Sequence, residues 1–344
     1  MDLGQIFEYA VDQETKAQEF YETSAARTEN VEAASLFRSL ARMEIGHRRA
    51  LESEYRALRE AGAIPGPKPP PSPEDELLVA YRRAAEVLRE ANVALQRRQT
   101  RIEAELQMAG QIQTRLLPRK VPQLAGLEVS VGCYMAEEVG GDFYDFLFNP
   151  FGEFCLTVGD VSGKGVPAAL LSVAVRVLWR SKVRDGHSAE ELLGLLNMDL
   201  SAEFRETDQF VTMLSTSYQP DSGLLAFANA GHWPPLYLPG EENEFLPFPP
   251  GFLPIGVDGD TYRRHELQTV PGDVAVLFTD GLVDARGPEG RFGEVRLRQV
   301  IKEHRGEPAE ALRDAIMKAI AEFAPGEPAD DQTIVVLRRT EESG

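Results

Sequence analysis

Four acidic clusters, at or beside the ends of apolar runs, constrain this chain more than any other feature. They are Gly140-Gly-Asp142-Phe-Tyr-Asp145, Gly159-Asp160-Val-Ser-Gly-Lys-Gly165, Thr279-Asp280-Gly281 and Asp330-Asp331-Gln-Thr333. The runs LEVSVGCYM, FCLTVGDV, FVTMLSTSY, LLAFANAG, DVAVLFTDG and TIVVLRR have the length and composition of strands. A single Asp-Gly marks only a turn. Four strand-end clusters in one half of a chain instead deliver short, hard oxygen ligands to one place, and the neighbouring glycines let backbone and ions approach. Mg2+ and Mn2+ favour such donors. No His/Cys spacing beyond residue 118 suggests zinc. Helical stretches near 166–185, 188–204 and 308–323 are grouped between the strands, so the order predicts an α+β layered sandwich.

Two hydrolase readings of these residues fail. A phosphate loop needs Gly-Lys-Ser/Thr, whereas Lys164 arrives one residue early and is followed by Gly165. No Gly-x-Ser-x-Gly stands in a strand–turn–helix context.

Upstream, Pro65-Gly-Pro-Lys-Pro-Pro-Pro-Ser-Pro73 reads as a semi-rigid spacer, because proline fixes φ and lacks an N–H. The expected divisions are a helical hairpin over 1–62, the linker over 63–73, a coiled-coil helix over 74–117 and an α+β domain over 118–340. In the hairpin, Leu3, Phe7, Ala10, Ala17 and Tyr21 form one stripe, and Ala33, Leu36, Phe37, Leu40, Met43 and Leu51 another. Glu14, Glu44 and His47 fall in those apolar stripes. Burying a carboxylate costs several kcal/mol unless it is paired, protonated or metal-bound. Glu44-Ile-Gly-His47 also has the Glu-x-x-His spacing that puts two ligands on one helix face. The alternative is a plain hydrogen-bonded Glu–His cluster.

Steps of three and four from Leu78 reach Tyr81, Ala85, Leu88, Asn92, Leu95, Gln99, Ile102, Leu106, Ala109, Gln113 and Leu116. Nine of these twelve positions are apolar, as a two-stranded seam requires, and Asn92 would fix its register. A parallel homodimer is expected. The alternative is a helix packed on its own domain, most credible for the weak lower half.

Net charge is −19, of which −16 falls on residues 118–344. Such a surface repels a phosphate backbone, so nucleic acid is not an expected partner. No run approaches the length of a membrane span, and the two cysteines, Cys133 and Cys155, fit a reducing cytoplasm.

In order and spacing, the clusters resemble the PPM-type (type 2C) metal-dependent serine/threonine phosphatases, in the branch typified by the sporulation stage II E protein and RsbU. The likeness runs over about 118–339. It includes Gln111-Ile-Gln-Thr-Arg-Leu-Leu-Pro118, Asn229-Ala-Gly-His232 and Pro271-Gly-Asp-Val-Ala-Val-Leu-Phe-Thr-Asp-Gly281. The resemblance implies an αββα sandwich and two Mn2+ or Mg2+ ions that activate a water for in-line attack on phosphorus. It implies that Asp160 bridges the two ions and that the Val161 carbonyl contributes to one. Asp280 and Asp330 would complete the first ion's site and Asp142 would support the second, with Asp331 the rival of Asp330. Lys164 is open between phosphate attraction and a solvated loop lysine, and His232 reads as a structural turn residue. The implied substrate is a phosphorylated anti-sigma-factor antagonist of the STAS type.

Residues 1–60 resemble half of a rubrerythrin-like, ferritin-type bundle, on Glu14-Thr-Lys-Ala-Gln-Glu-Phe-Tyr21 and Leu40-Ala-Arg-Met-Glu-Ile-Gly-His47. That implies a half-site for di-iron or another metal, completed by a second chain. Rival readings are a di-iron oxidase or iron-binding protein with an accessory C-terminal domain, and a non-catalytic partner-switching scaffold. The intact Asp142, Asp160, Asp280 and Asp330 argue against both.

Overall fold

A computed structural model describes residues 3–28, 30–61, 73–118, 120–257 and 261–341. The expected linker over 63–73 lies outside the described residues except for Pro73. The chain divides into two compact units, Met1–Val93 and Ala94–Gly344.

The first unit contains α1 (Leu3–Arg27) and α2 (Val31–Ala61), packed together as a hairpin, and the start of α3 (Pro73–Leu116). The Asn30 side chain caps α2 by accepting from the N–H groups of Glu32 and Ala33 at 2.9 and 3.0 Å. The buried stripe of α2 differs from the expected one. It follows Ala34, Phe37, Ala41, Glu44, Arg48, Leu51 and Tyr55 in alternating steps of three and four, leaving Leu36 and Met43 exposed. Small Ala34 and Ala41 of α2, with Ala25 of α1, are the most buried of the hairpin's described side chains, letting the two helices approach. Phe7 stacks on Tyr55 with ring centroids 4.1 Å apart.

From Leu77 to Glu105 every residue of α3 is exposed, including the seam positions Leu78, Tyr81, Leu88, Leu95 and Ile102. Its last turns behave differently: Gly110, Gln113 and Leu117 beyond them are buried in the second unit. Gln113 therefore leaves the expected seam, because its amide finds backbone partners in the domain.

The second unit continues with β1 (Leu127–Tyr134), β2 (Phe143–Phe148), β3 (Phe154–Val161), α4 (Gly165–Arg184), α5 (Ala189–Thr207), β4 (Val211–Gln219), β5 (Leu224–Ala230), β6 (Leu236–Leu238), β7 (His265–Gln268) and β8 (Val274–Phe278). There follow α6 (Asp280–Val283), β9 (Arg286–Gly287), β10 (Gly290–Arg291), α7 (Gly293–His304), α8 (Ala309–Phe323) and β11 (Gln332–Arg339). Two antiparallel sheets form, one in the order β1-β11-β8-β6 and one in the order β2-β3-β4-β5-β7, besides the β9–β10 pair. Phe154, Leu156, Leu277 and Val335 belong to the core between the sheets. Trp179 of α4 and Leu193 of α5 pack on the outer side of the five-stranded sheet. Ile301 of α7 and Ile316 of α8 cover the four-stranded one. The result is the expected αββα sandwich. Strands covered on both faces lose their polar alternation, as in β3, where six consecutive residues are buried.

Candidate active site

Three of the four acidic clusters open into one cleft of about 340 Å³, whose lining includes Asp160, Val161, Lys164, Asp280 and Asp330. Asp160 stands at the end of β3, opposite Thr212 of β4. Asp280 opens the single turn of α6, directly after β8. Asp330 precedes β11, the strand between β1 and β8.

Asp142 lies beneath this floor at 1% exposure. Its carboxylate accepts from Thr279 Oγ1 at 2.7 Å, and that same hydroxyl oxygen accepts from the Thr333 N–H at 2.9 Å. One threonine thus ties together the chain at β2, β8 and β11. Of the adjacent pair, Asp330 faces the cleft with half its side chain exposed, whereas Asp331 turns inward. Asp331 accepts from Ala136 N at 2.8 Å and from Asp142 N at 3.4 Å, fixing the loop that carries Asp142.

Elementary electrostatics marks the cluster. Burial and the Asp280, Asp330 and Asp331 charges push Asp160 up to about 7, against the opposing pull of Lys164. Burial and the Asp160 charge raise Asp142, and burial with the Asp330 charge raises Asp280. So many oxygen donors held at such electrostatic cost fit divalent cations. The backbone fits them too. Gly141 lies so close that a Cβ there would stand 2.6 Å from the Val161 carbonyl oxygen and crowd Asp160. Glycine leaves that oxygen accessible beside the carboxylates.

Lys164 donates to the Ala329 carbonyl at 2.7 Å and lies 3.5 Å from Asp330. It clasps the loop bearing Asp160 to the loop bearing Asp330, a role distinct from either sequence reading. The Asn229 side chain bonds both the N–H and the carbonyl of His232, while the ring Nδ1 pairs with Thr212 Oγ1 at 2.9 Å. Burial lowers His232 to about 4, so its ring is neutral at neutral pH. It is a turn residue, and it also lines the cleft.

Sequence reasoning missed Gln113. Its Nε2 donates to the Gly140 carbonyl at 2.7 Å and to Ser172 Oγ at 3.1 Å, and its Oε1 accepts from Gly140 N at 3.2 Å. One helical turn earlier, a Cβ on Gly110 would collide with the Glu138 carbonyl oxygen. The end of α3 therefore abuts the loop leading to Asp142. Heptad counting disguised both residues as helix-surface positions.

In the first unit, the ligand atoms of Glu14, Glu44 and His47 lie within 4.8 Å of one another. His47 Nδ1 is 3.0 Å from Glu44 and 3.8 Å from Glu14. Glu44 is largely covered, but His47 is half-exposed at the edge of the stripe rather than within it. Two carboxylates and an imidazole are a candidate metal set.

The family profile of the stage II sporulation protein E (SpoIIE) matches residues 150–340, more than half of the chain. The chain belongs to this family. Asp160, Asp280 and Asp330 lie within the matched span and Asp142 just before it. It is thus a PPM-type metal-dependent serine/threonine phosphatase of bacterial signalling. A second profile, rubrerythrin, matches residues 5–108, past the hairpin and well into α3. Phosphoserine phosphatase RsbU of Bacillus subtilis is 29% identical over 242 residues, 70% of this chain and 72% of that one. Among solved structures, the SiaA-PP2C domain of Pseudomonas aeruginosa matches with a TM-score of 0.63 at 27% identity, covering 70% of this chain and 98% of that domain. The RsbU and RsbW domains of Rv1364c from Mycobacterium tuberculosis share the fold, with a TM-score of 0.56 at 24% identity over 65% of this chain and 62% of theirs. No helix among the described residues of this SpoIIE-family chain is long and apolar enough to cross a membrane.

Proposed function

We propose that this phosphatase acts on a phosphorylated anti-sigma-factor antagonist of the STAS type in the cytoplasm, as a homodimer controlled by its ferritin-like hairpin. The observation that carries the catalytic part is the meeting of Asp160, Asp280, Asp330 and the Val161 carbonyl in one cleft. The likeness to a phosphoserine phosphatase, RsbU, supports the substrate class.

Two Mn2+ or Mg2+ ions would be held by Asp160, shared between them, by Asp280 and Asp330 for the first, by Asp142 for the second, and by the Val161 carbonyl for one of the two. When bound, these ions supply an activated water and offset charge on the phosphoryl oxygens. The protein's own groups hold that arrangement. Thr279 orients Asp142, Asp331 fixes its backbone, and Lys164 keeps the Asp160 and Asp330 loops together. His232, held in its turn by Asn229, shapes the cleft wall.

Glu14, Glu44 and His47 are read as an iron half-site. Two chains paired along Leu78, Leu88, Leu95 and Ile102 would bring two such sets together for a di-iron centre. The exposure of those side chains supports pairing. Phosphate release from a phosphoserine protein by the full chain, with and without Mn2+, is the direct test. Release requiring Mn2+ and abolished by chelator is expected. Release equal in chelator overturns the catalytic reading.

A further inference from the structure

Two aromatic side chains stand at the mouth of the catalytic cleft, and the chemistry described so far uses neither. Phe210 is held beside Ser162, whose N–H donates to the Phe210 carbonyl and whose Oγ accepts from the Phe210 N–H, both at 2.9 Å. Ser162 is two residues beyond Asp160. Trp233 follows His232 and packs on Phe278, with ring centroids 5.8 Å apart. Phe278 is two residues before Asp280. Each ring is thus mounted on backbone next to a cleft aspartate, and both line the cleft itself. They remain 39% and 37% exposed. Large aromatic faces left open beside a site are typical recognition surfaces.

The occupant follows from continuity with the cleft. A phosphorylated side chain that reaches Asp160 brings its own polypeptide across the mouth where Phe210 and Trp233 stand. At about 340 Å³ the cleft is near the lower end for ligand pockets, room for a phosphoryl group and little more than one neighbouring side chain. Charge does not offer an alternative means of recognition. Lys164 is the single basic residue among the lining residues, and Asp330 and Ala329 already engage it.

We infer that Phe210 and Trp233 form an aromatic mouth that takes an apolar side chain adjoining the phosphoserine or phosphothreonine of the protein substrate. This rests on the catalytic reading of the cleft. It makes the pair specificity determinants, with the hydrolytic chemistry left to the aspartates.

The test compares two phosphoserine peptides, differing only in leucine or serine beside the phosphorylated residue, with p-nitrophenyl phosphate, which has no flanking residue. Full-length wild type is expected to show at least tenfold higher kcat/KM for the leucine peptide. Phe210→Ala and Trp233→Ala should each reduce that preference to about twofold while p-nitrophenyl phosphate turnover stays within twofold. A second measurement needs no variant. Trp179 is fully buried, so a collisional quencher reads Trp233, and a non-hydrolysable phosphonate peptide with leucine should protect it, whereas the serine version should not. Equal turnover of the two peptides by wild type, a preference surviving both substitutions, an equal fall on the small ester, or no protection of Trp233 overturns the inference. If wild type hydrolyses none of the three, the catalytic reading itself fails.

Discussion

The N-terminal Glu–His set and the C-terminal aspartate set are built on opposite principles. Glu14, Glu44 and His47 come from two neighbouring helices, and two of the three are a single helical turn apart. They need only a hairpin, with Glu44 largely covered and His47 at its edge. Asp142, Asp160, Asp280 and Asp330 come from four separate strand ends on two sheets, and the fold forces them together against their own repulsion. The first arrangement is cheap to form and common in helices; the second exists only because the whole sandwich holds it. Electrostatic strain at the C-terminal cluster is therefore the mark of a site the fold was shaped around.

Substitutions can separate these principles. The largest effect is expected from Asp160→Asn and Asp280→Asn, which should lower Mn2+-dependent hydrolysis by roughly a hundredfold or more, since an amide is a poor ligand for a hard dication. Removing one charge from the crowded cluster should also raise the melting temperature of the metal-free Asp160→Asn protein. A fall there would break the argument from repulsion. Glu44→Ala combined with His47→Ala should abolish iron binding at the hairpin, measured by metal analysis after anaerobic loading, while hydrolysis stays within about twofold of wild type. Loss of both functions together would mean that the clusters are not independent. Leu88→Glu or Leu95→Glu should weaken self-association about tenfold or more by sedimentation, because like charges would face each other in the seam. An unchanged dimer would remove α3 from the interface.

The smallest effect is on pH. Asp160 has a folded pKa of about 7, above the usual carboxylate value of 3.8. Between those values the folded state holds a proton that the unfolded state has released, so stability falls as pH rises through that window. The metal-free protein should melt a few degrees lower at pH 7.5 than at pH 5.5, and Mn2+ should raise the melting temperature more at the higher pH. Equal Mn2+ stabilisation at both pH values would detach Asp160 from the cation site.

The same contrast governs what could be read in the sequence. Strands with largely apolar runs announced themselves: β1, β3, β4, β5 and β11 lie within a residue or two of their expected spans, while β8 stops at Phe278, three residues before the end of its expected run. The β2 strand stayed hidden because Asp145 sits in its middle; the Arg176 and Arg180 guanidiniums, at 2.8 and 2.6 Å, make that buried charge tolerable. The β6 and β7 strands were too short to carry a pattern, and α7 buries only Leu297 and Ile301 among charged neighbours. In the candidate site, the acids were legible but not the direction each side chain takes. Asp330 and Asp331 are chemically identical, and only tertiary bonds to Ala136 and Asp142 turn one of them inward. Gln113 shows the reverse error. Its spacing suited a coiled coil, yet a buried amide goes where backbone partners are, here Gly140.

The position of β11 has a consequence for how this enzyme comes into being. It is the last of the described strands, yet it lies inside its sheet, pairing with β1 along one side and β8 along the other. Leu127 waits for Arg339, and the bond from Asp142 N to Asp331 spans 189 residues. Such long-range closure is slow, because little reward arrives before the distant segments meet. During synthesis the four-stranded sheet stays split and Asp330 stays apart from Asp160 until the final strand is delivered. A nascent or nicked chain lacking β11 would have no assembled cleft, so the phosphatase stays silent until its domain is complete.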